Sequence, residues 1–336
     1  MKRYDVTIGI PMYEVGERMR RSMESALAQT YPSVELLVVD DAGRDGSMDI
    51  VRELQQTHPR GGDIRVITHE KNCGVAASRN DIIREAQGTY LYFMDADDEI
   101  SENAIALLLE NVRRYDADVT YGSYEKVELT GERHRYCYPS QVLDGEGKLA
   151  HYAYEKYGRF QASACNCLMK LSLLRENGLT FPDASFWEDF AFTNELVTHV
   201  QRAVLLPDVT YCYRCRKGSL SHYQQREVIS KEEVLSNARV VDGLKASSAC
   251  LREKTYYPHR CRMLVQTDYY IVRHALKRRN SIVPRLTNGE LKAVMRHPAS
   301  LPEILTFREQ RLANLLLYAL GRLPAWMMVA VMKVMK

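Results

Sequence analysis

The sequence predicts an α/β fold in which a mostly parallel sheet, flanked by helices, is followed by a helical C-terminal region. Through residues 1–120, apolar strand-like segments alternate with segments of helical periodicity, a pattern typical of repeated β-α units. The strand-like segments are continuously apolar, as expected for a parallel sheet that is covered on both faces. From Ser230 onward, helical periodicity dominates and the strand-like segments stop.

The β-α units follow one another in a regular order. Strands are predicted at residues 6–11, 34–39, 64–68 and 90–94. Helices are predicted at residues 17–29, 47–56, 75–87 and 101–115. Ser47 and Ser101 begin two of these helices and are their predicted N-caps.

Charge divides the chain into two parts. Residues 251–336 contain 16 Lys and Arg against 5 Asp and Glu, whereas residues 1–250 contain 30 against 38. Hydrophobic residues make up 46% of the 336 residues and charged residues 26%, as in ordinary globular proteins. We expect an α/β domain over residues 1–225 and a basic, mostly helical region over residues 226–336. Such a basic region is expected to face an anionic partner.

The end of the chain, residues 315–336, combines apolar stretches with basic residues. Arg322, Pro324 and Lys333 interrupt it, so that no apolar run reaches the roughly 18 residues of a membrane span. Trp326 and the interleaved cations favour a helix that lies in a membrane interface, against an anionic cytoplasmic leaflet. The alternative is a helix that packs back onto the protein.

We expect the protein in the cytoplasm, peripheral to the inner face of the cell membrane, with no nucleic-acid partner. The chain starts Met-Lys-Arg-Tyr-Asp and continues into a strand, without the pattern of a secretory signal. Its eight cysteines show no disulfide-like framework, which suits reduced thiols. The single C-x-x-C pair, Cys212 and Cys215, lacks a second pair that would complete a zinc site.

An acidic turn follows the strand at residues 90–94. Asp95, Asp97 and Asp98 place three carboxylates within four residues, where like charges repel unless a cation is present. Hard divalent cations prefer oxygen ligands, and Mg²⁺ is commonly held by one or two carboxylates together with substrate phosphates. The pattern therefore predicts a metal–phosphate site, and the alternative is a solvated acidic loop.

Other candidate ligand-binding residues fall at the same edge of the predicted sheet. Asp40 and Asp41 end the strand at 34–39, and ligands of parallel α/β sheets bind outside the carboxyl ends of the strands. Walker and G-x-G-x-x-G phosphate loops are missing from the sequence. A nucleotide would then be held by Asp41 on its base, Asp95 on its ribose and a metal on Asp97. Arg79, early on its helix, could reach the base or phosphate, or could be a solvated surface residue.

A second acidic pair, Glu188 and Asp189, enters the helical run at 190–200. Its neighbours Phe186, Trp187 and Phe190 are aromatic, and apolar surroundings raise the pKa of a carboxyl group and make it a better general base. The alternative is that the two acids only complement the helix dipole.

Six short segments carry a further pattern. They are Ile8-Gly9-Ile10-Pro11-Met12-Tyr13-Glu14, Gln29-Thr30-Tyr31-Pro32, Val38-Val39-Asp40-Asp41, Asn72-x-Gly74-x-x-x-x-Arg79-Asn80, Met94-Asp95-Ala96-Asp97-Asp98 and Trp187-Glu188-Asp189. In this order they resemble family 2 glycosyltransferases with the GT-A fold, over about residues 5–222. The Gln-x-x-Arg-Trp signature of processive polysaccharide synthases is absent from the sequence, which favours transfer of one sugar per encounter.

The resemblance implies a role for each candidate residue. The implied nucleotide contacts are Pro11, Tyr13, Glu14, Asp41, Arg79 and Asp95, and the implied diphosphate contacts are Arg214 and Lys217. Asp95 and Asp97 would form the DxD pair, with Asp97 on Mn²⁺ or Mg²⁺. Asp189, the second acid of the Glu188–Asp189 pair, would be the catalytic base. Ala42 and Arg44 depart from the Gly-Ser-Thr that is usual after the second strand.

The expected activity is inverting, metal-dependent transfer of one sugar from a nucleotide-diphospho-sugar, a UDP-sugar, to a glycan or lipid-linked hydroxyl in bacterial surface polysaccharide synthesis. One alternative is a haloacid-dehalogenase-like phosphatase, which would need its Asp-x-Asp near the N-terminus. Another is a non-catalytic protein that binds sugar nucleotides or scaffolds a membrane complex.

Overall fold

The computed structural model describes residues 4–184, 186–216 and 226–334. Its residues divide into two units. The first comprises Met1–Leu149, Ala162–Asp183 and Glu195–Ser219, and the second comprises Ala150–Gln161, Ala184–Asn194 and Leu220–Lys336. The expected boundary at residue 225 lies near the start of the longest segment of the second unit, which also takes in the two short segments.

The first unit contains a ten-stranded sheet. Its strands are β1 (Tyr4–Met12), β2 (Val34–Asp40), β3 (Ile64–Thr68), β4 (Gly88–Phe93), β5 (Glu99–Ile100), β6 (Val119–Val127), β7 (Arg133–Tyr136), β8 (Gln141–Asp144), β9 (Cys167–Lys170) and β10 (Arg202–Arg214). Their order is β3-β2-β1-β4-β9-β6-β10-β5, with β7 beside β6 and β8 beside β10. Strands β3, β2, β1 and β4 are mutually parallel, and β9 is antiparallel to both of its neighbours.

Helices alternate with these strands and then replace them. They are α1 (Arg18–Leu27), α2 (Ser47–Thr57), α3 (Val75–Glu85), α4 (Ala104–Arg114), α5 (Lys148–Glu155), α6 (Leu171–Glu176), α7 (Glu188–His199), α8 (Lys231–Ser247), α9 (Tyr257–Lys277), α10 (Asn288–Val294), α11 (Leu301–Thr306), α12 (Arg311–Arg322) and α13 (Ala325–Val334). In the part of the chain that the structure describes, none of them is long and apolar enough to cross a bilayer.

The parallel strands form the core of the first unit and align their carboxyl ends. Every residue of β2 is buried, and five of its seven residues are apolar. The buried carboxylate of Glu35 accepts a hydrogen bond from the Thr7 hydroxyl of β1 at 2.6 Å. Met12 of β1 pairs with Asp40 of β2, and Gly9 pairs with Phe93 of β4. Gly9 also allows α3 to approach β1, since a Cβ there would lie 2.3 Å from the Ile82 side chain. The ends of three strands and helix α3 are therefore brought to one edge.

Both predicted N-caps are wrong. Helix α2 starts at Ser47 itself, after Gly46 in the left-handed conformation (φ 81°). The Ser47 hydroxyl instead accepts hydrogen bonds from the backbone N–H groups of Val15 (3.2 Å) and Gly16 (2.9 Å), and so ties the loop after β1 to α2. Helix α4 begins at Ala104 rather than at residue 101, because the chain first forms the short strand β5.

The second unit is mostly helical, as expected, but it also contains a two-stranded pair. Strand β11 (Ile229–Ser230) is parallel to β12 (Ile282–Val283), so the expectation that strands stop at Ser230 is wrong for these residues. Helix α9 contacts α8, α12 and α13. Within this packing, Arg260 of α9 is fully buried and donates hydrogen bonds to the hydroxyls of Ser248 and Tyr154.

Candidate active site

The three carboxylates of the acidic turn come together where β4 ends. Met94 continues the strand by donating its backbone N–H to the Gly9 carbonyl of β1 at 3.0 Å. The chain then turns tightly, since the backbone N–H of Asp98 donates to the carbonyl of Asp95 at 3.1 Å. This turn concentrates the negative charge of Asp95, Asp97 and Asp98 at the carboxyl edge of the sheet.

Asp95 is paired with a buried arginine. Its Oδ1 accepts a hydrogen bond from Nη2 of Arg79 at 2.9 Å. Arg79 is only 3% exposed, and its guanidinium lies 5.4 Å from the centre of the Phe181 ring, so the surface alternative considered for it is wrong. The Asp95 side chain remains 35% exposed. Arg79 therefore balances the charge of Asp95 and leaves part of the carboxylate accessible to a ligand.

Asp97 forms an ion pair with Arg216, which follows strand β10. Burial raises the pKa of the Asp97 carboxyl, the charge of Asp95 raises it further, and Arg216 opposes both effects. The guanidinium of Arg216 thus supplies the positive charge that closely spaced carboxylates require.

Asp98 is buried and held by the strand on the other side. It accepts hydrogen bonds from the Tyr211 hydroxyl (2.7 Å) and from the backbone N–H of Arg214 (2.8 Å). Burial raises the pKa of Asp98 well above its ordinary value, and the charges of Asp95 and Asp97 add to this shift. Asp98 therefore anchors the acidic turn to β10, whereas Asp95 and Asp97 face the accessible side.

The acidic turn fits a hard divalent cation. Its donors are carboxylate oxygens, which Mg²⁺ and Mn²⁺ prefer over nitrogen or sulfur ligands. The pKa of Asp97 and that of Asp98 are both raised despite the presence of Arg216. Further positive charge at this turn would therefore stabilise the ionised carboxylates. These residues fit a metal site in which Asp95 and Asp97 are the accessible ligands.

Asp41 organises the loop that leads into α3. It is buried, and its carboxylate accepts hydrogen bonds from the backbone N–H groups of Cys73 (2.7 Å) and Gly74 (2.8 Å). Nδ1 of His69 lies 2.6 Å from Asp41 and Nε2 lies 2.8 Å from Asp81. Burial lowers the pKa of His69, but the hydrogen bonds and charges of the two aspartates outweigh it and raise the pKa overall. Asp41 thus supports the helix that carries Arg79.

The predicted nucleoside-pocket residues lie at the end of β1. Pro11 pairs with Val39 of β2, Tyr13 is 44% exposed, and Glu14 has a left-handed backbone (φ 46°). Ala42, which departs from the family pattern, is also left-handed (φ 61°), a conformation that glycine adopts without steric cost.

The structure describes one of the two predicted diphosphate contacts, Arg214 and Lys217. The Arg214 guanidinium donates a hydrogen bond to Glu99 at 2.5 Å, so its charge is already engaged. Lys217 lies outside the described residues. Arg216, two positions from Arg214 along the chain, is instead the cation that faces Asp97.

Glu188 and Asp189 occupy the first turn of α7, in the second unit. Glu188 is 6% exposed and Asp189 is partly exposed. The Trp187 ring packs edge-on against that of Phe190, with 4.9 Å between their centres. The aromatic neighbours of the acidic pair therefore pack against each other, and the pair lies at the N-terminus of α7.

Comparison with known proteins gives the family. The model for Glycosyl transferase family 2 matches residues 7–177, and the chain belongs to this family. Glycosyltransferase GlyA of Streptococcus pneumoniae is 28% identical over 224 residues, which are 64% of this chain and 31% of GlyA. The chain thus spans about a third of that relative. Further relatives are described as proteins of teichuronic acid or succinoglycan biosynthesis.

Solved structures give the fold. Residues 1–349 of Staphylococcus aureus TarS, in complex with UDP-GlcNAc, match with a TM-score of 0.64 at 17% identity, over 94% of this chain and 90% of that one. The mannosyltransferase PcManGT of Pyrobaculum calidifontis, in complex with GDP-Man and Mn²⁺, matches with a TM-score of 0.55 at 16% identity, over 99% and 88%. The predicted GT-A fold and the predicted membership of glycosyltransferase family 2 are both confirmed.

Three residues of the site escaped the sequence analysis: His69, Tyr211 and Arg216. A signal existed for His69, because it follows β3 at the same edge where Asp41 follows β2. Arg216 could have been found from Arg214, since alternate residues of an extended chain share a face. Tyr211 is one of many tyrosines, and its contact with Asp98 spans 113 residues.

Proposed function

We propose that this glycosyltransferase is an inverting, metal-dependent enzyme that moves one sugar from a UDP-sugar to a hydroxyl of a glycan or lipid-linked acceptor. The observation that carries the proposal is the acidic turn at the end of β4, where Asp95 and Asp97 face arginines. Carboxylates that need cations, at the carboxyl edge of a parallel sheet, suit a metal-bound diphosphate.

The donor is held by residues of the first unit. Asp95 and Asp97 would hold Mn²⁺ or Mg²⁺, which would supply Lewis-acid stabilisation of the departing diphosphate. Asp95 also accepts from the ribose, while Asp41 and the end of β1 (Pro11, Tyr13 and Glu14) contact the base. Arg214 and Lys217 contact the diphosphate, and Arg216, which pairs with Asp97, adds positive charge beside them. The UDP-GlcNAc complex of TarS supports UDP, although the PcManGT complex contains GDP-Man.

Asp189 is the catalytic base. It takes the proton from the acceptor hydroxyl while the oxygen forms its bond to the anomeric carbon and the bond to the diphosphate breaks. One displacement with one base inverts the configuration, by the geometry that distinguishes inverting from retaining sugar transfer. Glu188, which is buried beside Asp189, positions the turn.

The C-terminal helices hold the enzyme at an anionic membrane surface, where a lipid-linked acceptor would be found. Leu312 and Leu316 of α12 are 71% and 64% exposed, and Trp326 of α13 is 65% exposed. Leu312 and Leu316 are four residues apart and so share one face of the helix. Exposed apolar residues beside Arg322 fit an interfacial helix at the cytoplasmic leaflet. Relatives described as polysaccharide-biosynthesis proteins support such an acceptor.

Calorimetry with UDP, GDP, dTDP and CMP, each with Mn²⁺ or with EDTA, tests the donor site. We expect tight binding of UDP with Mn²⁺ and weak binding in EDTA. At about 100 times its dissociation constant, UDP should raise the free energy of unfolding by roughly 2.7 kcal/mol. Preference for GDP would contradict the UDP assignment, and binding that is equal in EDTA would contradict the metal.

Asp189→Asn tests the catalytic base. Loss of a general base lowers the rate by about 10²- to 10⁴-fold, so we expect that fall in kcat, with binding of UDP and Mn²⁺ unchanged. Steady-state transfer assays and calorimetry on the same preparation measure the two effects. Near wild-type transfer by Asp189→Asn would rule out this role, and so would a loss of nucleotide binding equal to the loss of rate.

A further inference from the structure

Three side chains with metal-binding groups meet inside the second unit, in a place that the transfer reaction does not use. They are His151 of α5, His259 of α9 and Glu309, which precedes α12. One ligand atom from each lies within 4.8 Å of the other two. The rings of His151 and His259 have their centres 4.5 Å apart, and Nε2 of His259 lies 2.6 Å from Oε2 of Glu309.

His259 is the fixed member of this cluster. Its side chain is 4% exposed, and its Nδ1 is buried without a hydrogen-bond partner among the described residues. Nε2 of the same ring faces Glu309, so an ion that His259 shares with Glu309 would bind Nε2 in place of this hydrogen bond. Neutral imidazole binds metal ions through either ring nitrogen, and burial of the ring holds Nε2 in a fixed position.

The other two members leave the cluster open to solvent. The side chain of His151 is 35% exposed and that of Glu309 is 60% exposed. A fourth candidate, Glu155, lies one turn after His151 on the same helix, with 3.9 Å between Oε2 and Nε2. An ion could therefore enter from solvent and meet the exposed carboxylate of Glu309.

We propose that His151, His259 and Glu309 bind a Zn²⁺-class transition-metal ion, with Glu155 or water completing the coordination. In tetrahedral zinc sites with bonds of about 2.0–2.1 Å, the ligand atoms lie roughly 3.4 Å apart. Side-chain rotations of the order of an ångström would bring the three ligand atoms to that spacing. The ion would link α5, α9 and the turn before α12.

The ligand chemistry separates this site from the acidic turn. Imidazole nitrogens with one carboxylate favour Zn²⁺, Ni²⁺ or Cu²⁺, whereas sites with oxygen ligands only favour Mg²⁺ or Mn²⁺. The competing interpretation is a hydrogen-bonded His259–Glu309 pair that only ties the turn to α9. That pair does not need His151, so His151 distinguishes the two interpretations.

Titration of the full-length, EDTA-treated chain with ZnCl₂ by calorimetry tests the proposal. We expect His151→Ala to lower the affinity for one bound Zn²⁺ ion per chain by at least about tenfold, since even outer-shell partners of a metal change affinity 10- to 100-fold. Glu309→Gln, which keeps the side-chain volume, should lower the same affinity, and excess Mg²⁺ should not displace the ion. Zn²⁺ should raise the Tm of the wild-type chain more than that of His151→Ala.

His134→Ala is the matched control. His134 lies 3.4 Å from Glu132 in an exposed pair without a second histidine, so its loss should leave the titration unchanged. Asp41, His69 and Cys73 form another group of possible ligands, but they are intact in every variant and cancel in the comparison. Identical Zn²⁺ titrations of the wild-type chain and His151→Ala, or no Zn²⁺ binding by the wild-type chain, would overturn the proposal.

Discussion

The two units handle buried charge in different ways. In the first unit, like charges are placed together: Asp95, Asp97 and Asp98 share one turn, and the pKa of Asp97 and that of Asp98 are raised, mainly by burial. In the second unit, the buried cations Arg260 and Lys245 meet oxygen partners. Arg260 donates to five oxygens, and Lys245 lies 2.5 Å from Asp268.

This difference indicates what each set of charges is for. Carboxylates that are clustered at an accessible edge repel one another, and binding of a cationic ligand can relieve this repulsion. A buried cation that is surrounded by acceptor oxygens already has its hydrogen-bond partners, so it needs no ligand. Its hydrogen bonds fix the packing of the helices. Removing a charge should therefore impair activity in the first unit and stability in the second.

Replacement of Asp97 by Asn should have the largest effect and only on activity. A metal ion contributes several kcal/mol of charge stabilisation to a reaction of this kind, so its loss should lower kcat/KM about a thousandfold. The free energy of unfolding should not fall, because the raised pKa of Asp97 means that its charge is unfavourable in the folded state. Transfer assays and urea unfolding measure the two quantities.

Asp49→Asn is the control for this change. Asp49 lies 3.6 Å from Arg52 in an exposed pair, with its side chain 81% exposed, so both activity and stability should be unchanged. If Asp97→Asn unfolds more easily than Asp49→Asn, the acidic turn supports the fold and the contrast between the units fails.

Replacement of Arg260 by Met should have the reverse effect. It would leave the Tyr154 and Ser248 hydroxyls and the carbonyls of Asn194 and Leu244 without their buried donor. Each unsatisfied buried group costs about 1–3 kcal/mol, and some regain partners, so we expect a loss of about 3–4 kcal/mol in the free energy of unfolding. Urea unfolding at neutral pH measures it.

Arg262→Met is the matched control, two positions along the same helix. Arg262 donates to the carbonyls of Tyr154 and Glu155 from a partly exposed position, where water can replace it. Its loss should be under about 1 kcal/mol. Equal losses for Arg260→Met and Arg262→Met would show that the burial of Arg260 is not what stabilises the second unit.

The sequence predicted the parts of the fold that depend on local pattern. The strand at 64–68 has the bounds of β3, and the apolar runs before Asp41 and Asp95 lie in β2 and β4, because the buried positions of these strands are mostly apolar. Strands β7 and β8 were not predicted individually: their side chains are mostly exposed, so no apolar pattern distinguishes them. The N-cap prediction at Ser47 failed because a tertiary contact uses its hydroxyl.

The site was predictable where residues are close in sequence and not where they are distant. The acidic turn needs only four consecutive positions. The contact between Asp97 and Arg216 spans 119 residues, and the one between Asp98 and Tyr211 spans 113. No periodicity encodes such pairs, and they depend on β5 and β6, which both pair with β10. The His151 and His259 contact is of the same kind.

An effect that depends on pH is expected at Asp268. Burial raises the pKa of its carboxyl from 3.8 to about 8, against the opposing charge of Lys245. Because the folded-state pKa is the higher one, the stabilising contribution is present below about pH 4 and is lost as pH rises towards 8. The loss is at most about 1.4 kcal/mol per pH unit for one proton. Urea unfolding from pH 5 to 8 should therefore show a steeper fall in the free energy of unfolding for the wild-type chain than for Asp268→Asn.

Asp242→Asn is the control, since Asp242 lies 2.8 Å from the same Lys245 but its side chain is 50% exposed. That variant should keep the wild-type slope, and a slope unchanged in Asp268→Asn would mean that this buried carboxyl is ionised throughout the range.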